Sequence, residues 1–181
     1  MLPLSREAVR KLATDKGYSG EDVYSISGGN PFYVNEILAS YSPGIPENIK
    51  DSILAVHNRQ DEKTRYIWDV LSMLPTGLET KYLYKIDPRY EDAIENSLES
   101  RILIINNGLL FFKHELYRRT IEQSLSPIKR VAFNKRILDL FEKEFEKDNK
   151  TERIIHHAKN ANAYEVVVKY APVAAKQAAS V

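Results

Sequence analysis

A histidine followed by a glutamate, His114-Glu115, stands where a strand pattern in this sequence gives way to a helix pattern. Two short apolar runs, 102–105 and 109–112, flank Asn107-Gly108, and both turn residues tolerate positive φ, which predicts a β-hairpin. After the pair, residues at helical spacing predict a helix face: Leu116, Thr120, Ile121 and Leu125. The unpaired N–H groups and the positive dipole of a helix start favour an anion beside the imidazole. The alternative is an imidazole that only closes the helix start or packs against the hairpin.

A second candidate site is the sequence Ser27-Gly28-Gly29-Asn30-Pro31-Phe32, where glycines separate two predicted helices. Asn30 is a favourable N-cap, and Pro31 is tolerated at the first helical position because an N–H there has no partner in the helix. Glycine commonly ends the preceding helix. These three preferences explain the sequence as a joint between two helices, and from the residues alone this structural interpretation is sufficient.

The hairpin followed by a helix that begins Lys113-His114-Glu115-Leu116 resembles the winged-helix domain of STAND-type signalling ATPases, especially the large LuxR-type ATP-dependent transcriptional regulators. The resemblance implies that His114 contacts the β-phosphate of bound ADP and holds a closed, inactive state. Glu115 matches the acidic position behind that histidine, and Lys113 replaces the methionine of the related MHD motif. Gly29-Asn30-Pro31 matches a Gly-x-Pro element in the family's helical lid, where the proline packs near the adenine and ribose.

The order of predicted elements gives a mainly α fold with one small β-hairpin. The resemblance divides it into a helical lid of an ATPase module (1–58), a winged-helix domain of three helices and a two-stranded wing (59–126), and the start of a TPR-like helical repeat or sensor region (127–181). Small-residue-rich paired helices near the end of the sequence are typical of such arrays. We therefore expect a piece of a longer protein.

Helical spacing also predicts which residues are buried. In the first helix, these are Ala8, Val9, Leu12 and Ala13. A short helix is predicted around Leu78, Tyr82 and Leu83, and the next helix is predicted to begin at Asp87-Pro88 and to bury Tyr90. A long helix beyond Pro127 is predicted to bury Ile128, Val131, Ala132, Leu138, Phe141 and Phe145.

The composition of the 181 residues narrows the function classes. Lys and Arg number 26 and Asp and Glu 25, so the net charge of +1 gives no global attraction to nucleic acid or membrane surfaces. The absence of Cys removes disulfides and thiolate chemistry and suits a reducing cytosol. No apolar run approaches the ~20 residues of a membrane span, so a cytoplasmic location without membrane contact is expected.

No Gly-x-x-x-x-Gly-Lys-Ser/Thr phosphate loop occurs in the sequence, so we expect no enzymatic activity and no cofactor in this chain alone. In the parent protein, the resemblance implies that Gly29, Asn30, Pro31 and His114 contact ATP or ADP. The nucleotide and magnesium would be held by an N-terminal nucleotide-binding domain. The implied partners are that domain, C-terminal helical repeats and an output domain that alone contacts DNA. The ATP-bound parent would self-assemble.

The alternative from a different class is a stand-alone winged-helix DNA-binding module. Its third predicted helix, 89–101, has two arginines against four acids, a formal −2 that approaches phosphates poorly. A later basic set spreads around its helices and is predicted to be a solvated surface: Arg118, Arg119, Lys129, Arg130, Lys135 and Arg136. The adjacent pair His156-His157 is not predicted to bind a metal, because neighbouring helical residues point about 100° apart.

Overall fold

The computed structural model describes residues 2–39, 45–83, 90–143 and 151–179. Within them it has ten α-helices and a three-stranded antiparallel sheet, so the predicted mainly α fold with a small β element is confirmed. The contacts divide the chain into two compact units, Met1–Ser124 and Leu125–Val181. In the described part of the chain, no helix is both long enough and apolar enough to cross a membrane.

The first unit has seven described α-helices, and the sequence explains where several of them begin. They are α1 (Arg6–Thr14), α2 (Gly20–Ser27), α3 (Pro31–Ala39), α4 (Glu47–Asn58), α5 (Glu62–Ser72), α6 (Glu91–Glu99) and α7 (Glu115–Ser124). The side chains of Ser5, Ser19 and Asp61 accept hydrogen bonds from backbone N–H groups in the first turns of α1, α2 and α5. Local capping chemistry therefore sets these helix starts.

The predicted hairpin is present, with strands β2 (Leu103–Asn106) and β3 (Leu109–Phe112). Its turn residues Asn107 and Gly108 have φ values of 50° and 73°. The sheet, however, has a third strand, β1 (Leu78–Glu79), paired antiparallel to the other edge of β3. The short helix predicted around Leu78, Tyr82 and Leu83 was wrong for Leu78, which lies in this strand. Thr80–Tyr82 form a 3₁₀ turn, and Leu83 is helical.

Gly77 allows this third strand to form. Its φ is +76°, and a Cβ at this position would lie 2.8 Å from the carbonyl oxygen of Leu110. A glycine therefore lets the chain approach β3 closely enough for Leu78 to pair with Leu110.

The core of the first unit fixes α7, which carries the candidate histidine at its start. Leu116 and Ile121 of α7 are fully buried, and α7 packs against α2, α4 and α5. Helices from the predicted lid and from the predicted winged helix thus share one core. Some predicted core residues differ from expectation: Leu12 is exposed over 43% of its surface, and Ala8 and Tyr90 are only partly buried.

The described residues of the second unit form α8 (Pro127–Lys143), α9 (Thr151–Asn160) and α10 (Tyr164–Ala178), and α9 packs against α8 and against α10. The predicted inner face of α8 was partly wrong, because Ile128 is 82% exposed and Ala132 is also exposed. The buried residues are Phe133, Asn134, Ile137, Leu138 and Phe141. The predictions for Asp87-Pro88 and Phe145 lie outside the described residues.

Candidate functional site

The joint between α2 and α3 is built as its residue types predict. Gly28 ends α2 in the left-handed conformation, with φ 59°, and its N–H donates to the carbonyl of Tyr24 at 2.8 Å. The side-chain oxygen of Asn30 accepts from the N–H of Phe32 at 3.0 Å, which confirms the predicted cap. Pro31 is the first residue of α3.

Both backbone polar groups of Gly29 form hydrogen bonds within the chain. Its N–H donates to Ser27 Oγ at 3.1 Å, and its carbonyl accepts from the N–H of Leu4 at 2.7 Å. A Cβ at Gly29 would overlap the carbonyl oxygen of Leu4. This glycine therefore serves the close passage of the N-terminal segment, while Asn30 and Pro31 remain partly exposed.

Gly29→Ala is expected to destabilise the first unit by about 2 kcal/mol, because an alanine at φ +76° is strained and meets Leu4. Gly28→Ala is the matched control. Gly28 also has positive φ, but its added Cβ would meet nothing within 4 Å. Urea unfolding followed by Trp68 fluorescence measures both, and equal losses for the two variants would contradict the role given to Leu4.

His114 lies between β3 and the first turn of α7 and is partly buried. Its ring meets the ring of Tyr33 edge to face, with the centroids 5.9 Å apart and the planes at 75°. Tyr33 stands two residues beyond Pro31 and also meets the ring of Phe32, centroid to centroid at 5.5 Å. The start of α3 and the start of α7 are therefore neighbours in space.

The electrostatics of this aromatic cluster favour uncharged groups. Burial lowers the pKa of His114, and the positive charge of Lys113 lowers it further. At pH 7 the imidazole is therefore neutral and has one N–H donor and one acceptor. Burial raises the pKa of Tyr33 and of Tyr117, and Tyr117 adds to the effect on Tyr33, so both phenols keep their protons.

Glu115 has a structural role that the sequence did not reveal. Its carboxylate accepts from Arg118 at 2.8–3.0 Å and from Arg119 Nε at 3.1 Å. Arg118 Nη1 also donates to Glu122 at 2.7 Å and to the backbone carbonyl of Ser72 at 2.6 Å. This network ties α7 to the carboxyl end of α5 and orients the helix that begins at His114.

The prediction that the basic set forms a solvated surface was wrong for Arg118. It is buried, with 7% of its surface exposed. Burial lowers the pKa of its guanidinium, but the hydrogen bonds and charges of Glu115 and Glu122 outweigh this and raise it. Arg118 is therefore unable to contact an external phosphate.

The other candidate sites are also placed by the structure. His157 is buried and its Nδ1 bonds Asn134 Oδ1 at 2.8 Å, while His156 is exposed and contacts Asn160. No group of three metal-ligating side chains is found in the described residues. On α6, the carboxylates of Glu91, Asp92, Glu95 and Glu99 are all exposed.

Tyr33 and Tyr117 were not predicted as site residues, and Phe32 was included only as the last residue of the second motif. A signal was available, because aromatic residues occupy the first turn after Pro31 and the first turn after His114. Phe32 is 60% exposed, so its ring is accessible beside the contact between Tyr33 and His114. The structure thus adds an exposed aromatic surface to the two predicted motifs.

Comparisons of the chain with protein-family models, with curated proteins and with solved structures found no match.

Proposed function

We propose that this chain is a regulatory part of a STAND-type, large LuxR-like ATP-dependent regulator. In this proposal, the helices α1–α4 act as a lid. Together with the winged helix, they close on ADP or ATP that an N-terminal nucleotide-binding domain holds. The main support is the contact between Tyr33 and His114, with ring centroids 5.9 Å apart. It places the start of α3, which follows Gly29-Asn30, next to His114 at the start of α7.

The residues at this contact suit a nucleotide. The neutral imidazole of His114 donates an N–H to a phosphate oxygen, and Lys113 next to it supplies a positive charge. Pro31 and the exposed ring of Phe32 offer apolar surface to a base, and such stacking is favourable for any flat aromatic ring. The phosphate loop and the magnesium ligands belong to the N-terminal nucleotide-binding domain. This chain therefore contacts and positions the nucleotide but does not hydrolyse it.

The proposed work of the chain is mechanical. ADP holds the lid and the winged helix closed, and exchange for ATP releases them and permits self-assembly. The second unit begins a helical array that senses an inducer, and DNA is contacted only by a separate output domain. A cytoplasmic location follows from this role.

The DNA-binding alternative has less support. Helix α6, which occupies the position of the recognition helix in a winged-helix module, has four exposed carboxylates and no basic residue between Glu91 and Glu99. These negatively charged carboxylates repel the phosphate backbone of DNA. Arg118, part of the predicted basic set, is buried in an ion-pair network.

In the protein that includes the nucleotide-binding domain, His114→Leu is expected to weaken ADP binding about 10- to 100-fold. A hydrogen bond to a charged group contributes roughly 1.5–3 kcal/mol. His114→Gln keeps an N–H donor and is expected to retain part of the affinity. Equilibrium titration with a fluorescent ADP analogue measures both variants.

The matched control is His156→Leu, which makes the same change at an exposed histidine of the second unit. This variant is expected to bind ADP like the wild type. Unchanged ADP affinity in His114→Leu, with the fold retained, would contradict the proposed role of the histidine.

A further inference from the structure

Two buried histidines in this chain are fixed by hydrogen bonds, and His114 differs from them. His57 Nε2 lies 2.9 Å from Asp69 Oδ1, and His157 Nδ1 lies 2.8 Å from Asn134 Oδ1. Within the described residues, the ring nitrogens of His114 have no such partner. What constrains its imidazole is therefore ring packing, and the ring it meets is that of Tyr33.

Tyr33 is suited to this task because it is held from several sides. Phe32 packs against its ring at a centroid distance of 5.5 Å. Tyr33 is partly buried, and burial together with the nearby Tyr117 raises its pKa. Tyr117 belongs to the same first turn as His114, since its N–H donates to the His114 carbonyl at 3.0 Å. Tyr33 thus bridges the first turn of α3 and the first turn of α7.

We propose that Tyr33 is the positioning residue for His114, setting the orientation of the imidazole and making that orientation depend on the start of α3. The role toward a nucleotide rests on the proposed function, whereas the ring contact itself does not. Because Pro31 begins the same turn as Tyr33, a ligand that shifts Pro31 also changes the orientation of His114. Coupling between two contacts is reciprocal, so a phosphate at His114 equally favours one position of the α3 start.

The first test uses the 181-residue chain and imidazole proton resonances, with the His114 signals assigned by their loss in His114→Gln. The wild type is expected to show nuclear Overhauser contacts between the rings of Tyr33 and His114. Tyr33→Phe keeps the ring and is expected to preserve the His114 chemical shifts. Tyr33→Met fills similar space without a ring, and is expected to move these shifts toward those of exposed His156.

The same spectra report folding, because the His57 and His157 resonances have other surroundings and are expected to stay in place in both variants. The charged and titratable side chains next to His114 in the chain or in contact with it include Lys113, Glu115, Tyr117 and Tyr33, and only Tyr33 is changed. A flexible methionine covers the imidazole less completely than the tyrosine ring, so water reaches it and the pKa of His114 is expected to rise toward its ordinary value. Absence of the ring contact in the wild type, or unchanged His114 signals in Tyr33→Met, would overturn the positioning role.

The second test measures ADP binding in the protein that includes the nucleotide-binding domain. Tyr33→Met is expected to weaken ADP binding about 3- to 10-fold, and Tyr33→Phe to bind like the wild type. In His114→Leu, adding Tyr33→Met is expected to have no further effect, since Tyr33 acts through His114. Independent, additive losses would overturn the proposal. If His114→Leu alone leaves ADP affinity unchanged, the proposed function fails, while the resonance test still decides the role of Tyr33.

Discussion

Lowering the pH from 7 to 3 is expected to destabilise the second unit, Leu125–Val181, by up to about 5 kcal/mol through His157 alone. His157 lies in the core of this unit, 2% exposed. Burial, with smaller contributions from the charges of His156 and Arg153, lowers the pKa of His157 to about 3. The unfolded chain instead takes up a proton near pH 6.5.

The sign of the effect follows from these two values. Between pH 6.5 and 3 the unfolded chain binds one more proton at this residue than the folded chain. The free energy of unfolding therefore falls by about 1.4 kcal/mol per pH unit as the pH drops through this window. Above pH 6.5 the His157 imidazole is neutral in both the folded and the unfolded chain, and protonation of His157 no longer lowers the free energy of unfolding. The hydrogen bond to Asn134 needs the neutral ring to carry its proton on Nδ1, because the amide nitrogen of Asn134 donates to the Arg130 carbonyl.

Urea unfolding followed by amide resonances of α8 and α9 measures this pH dependence, while Trp68 fluorescence reports the first unit separately. His157→Gln keeps a donor but does not titrate, so the difference in slope between the two proteins isolates His157 from the carboxylates that also protonate at low pH. His156→Gln is the exposed control and is expected to change the slope little. Equal slopes in wild type and His157→Gln would contradict the assignment.

The elements that local chemistry determines were predictable from the sequence. The Asn107-Gly108 turn and the caps at Ser5, Ser19 and Asp61 are all present. In each case the residue type satisfies a nearby backbone group or a positive φ, so no distant contact is needed.

Elements determined by distant contacts were not predictable. Strand β1 has two residues and shows no periodicity, and its pairing depends on Leu110 far along the chain. The inner face of α8 includes Asn134, a polar residue that hydrophobic periodicity excludes and that His157 satisfies. Burial of Arg118 was missed because arginine is usually exposed. The sequence signal for it was the presence of glutamates at positions 115 and 122, three residues before and four residues after Arg118.

In the candidate site, too, the features set by local residues were predictable, whereas those set by distant contacts were not. His114 and the Asn30-Pro31 joint were found as separate motifs because each lies at a helix start with a recognisable residue pattern. Their proximity depends on how α7 packs against α2. This packing cannot be predicted from the residue pattern of a single sequence. Tyr33, which makes the contact, was therefore missing from the predicted site.

Arg118→Ala is expected to lower the free energy of unfolding of the first unit by about 3 kcal/mol. Truncating one partner of a buried ion pair leaves the others without compensation. Here the loss removes bonds to Glu115 and Glu122 and leaves the Ser72 carbonyl at the end of α5 without this donor. The value lies at the low end of the usual range because both carboxylates retain some access to water.

Arg119→Ala provides the matched control, since Arg119 also bonds Glu115 but is 37% exposed, against 9% for the Arg118 side chain. Exposed ion pairs contribute about 0–1 kcal/mol, so this variant is expected to be nearly neutral. Arg118→Lys keeps the charge without the planar fork and is expected to be intermediate. Urea unfolding followed by Trp68 fluorescence ranks all three variants. If Arg118→Ala is as nearly neutral as Arg119→Ala, this network does not hold α7, and the orientation of its first turn, including His114, comes from apolar packing.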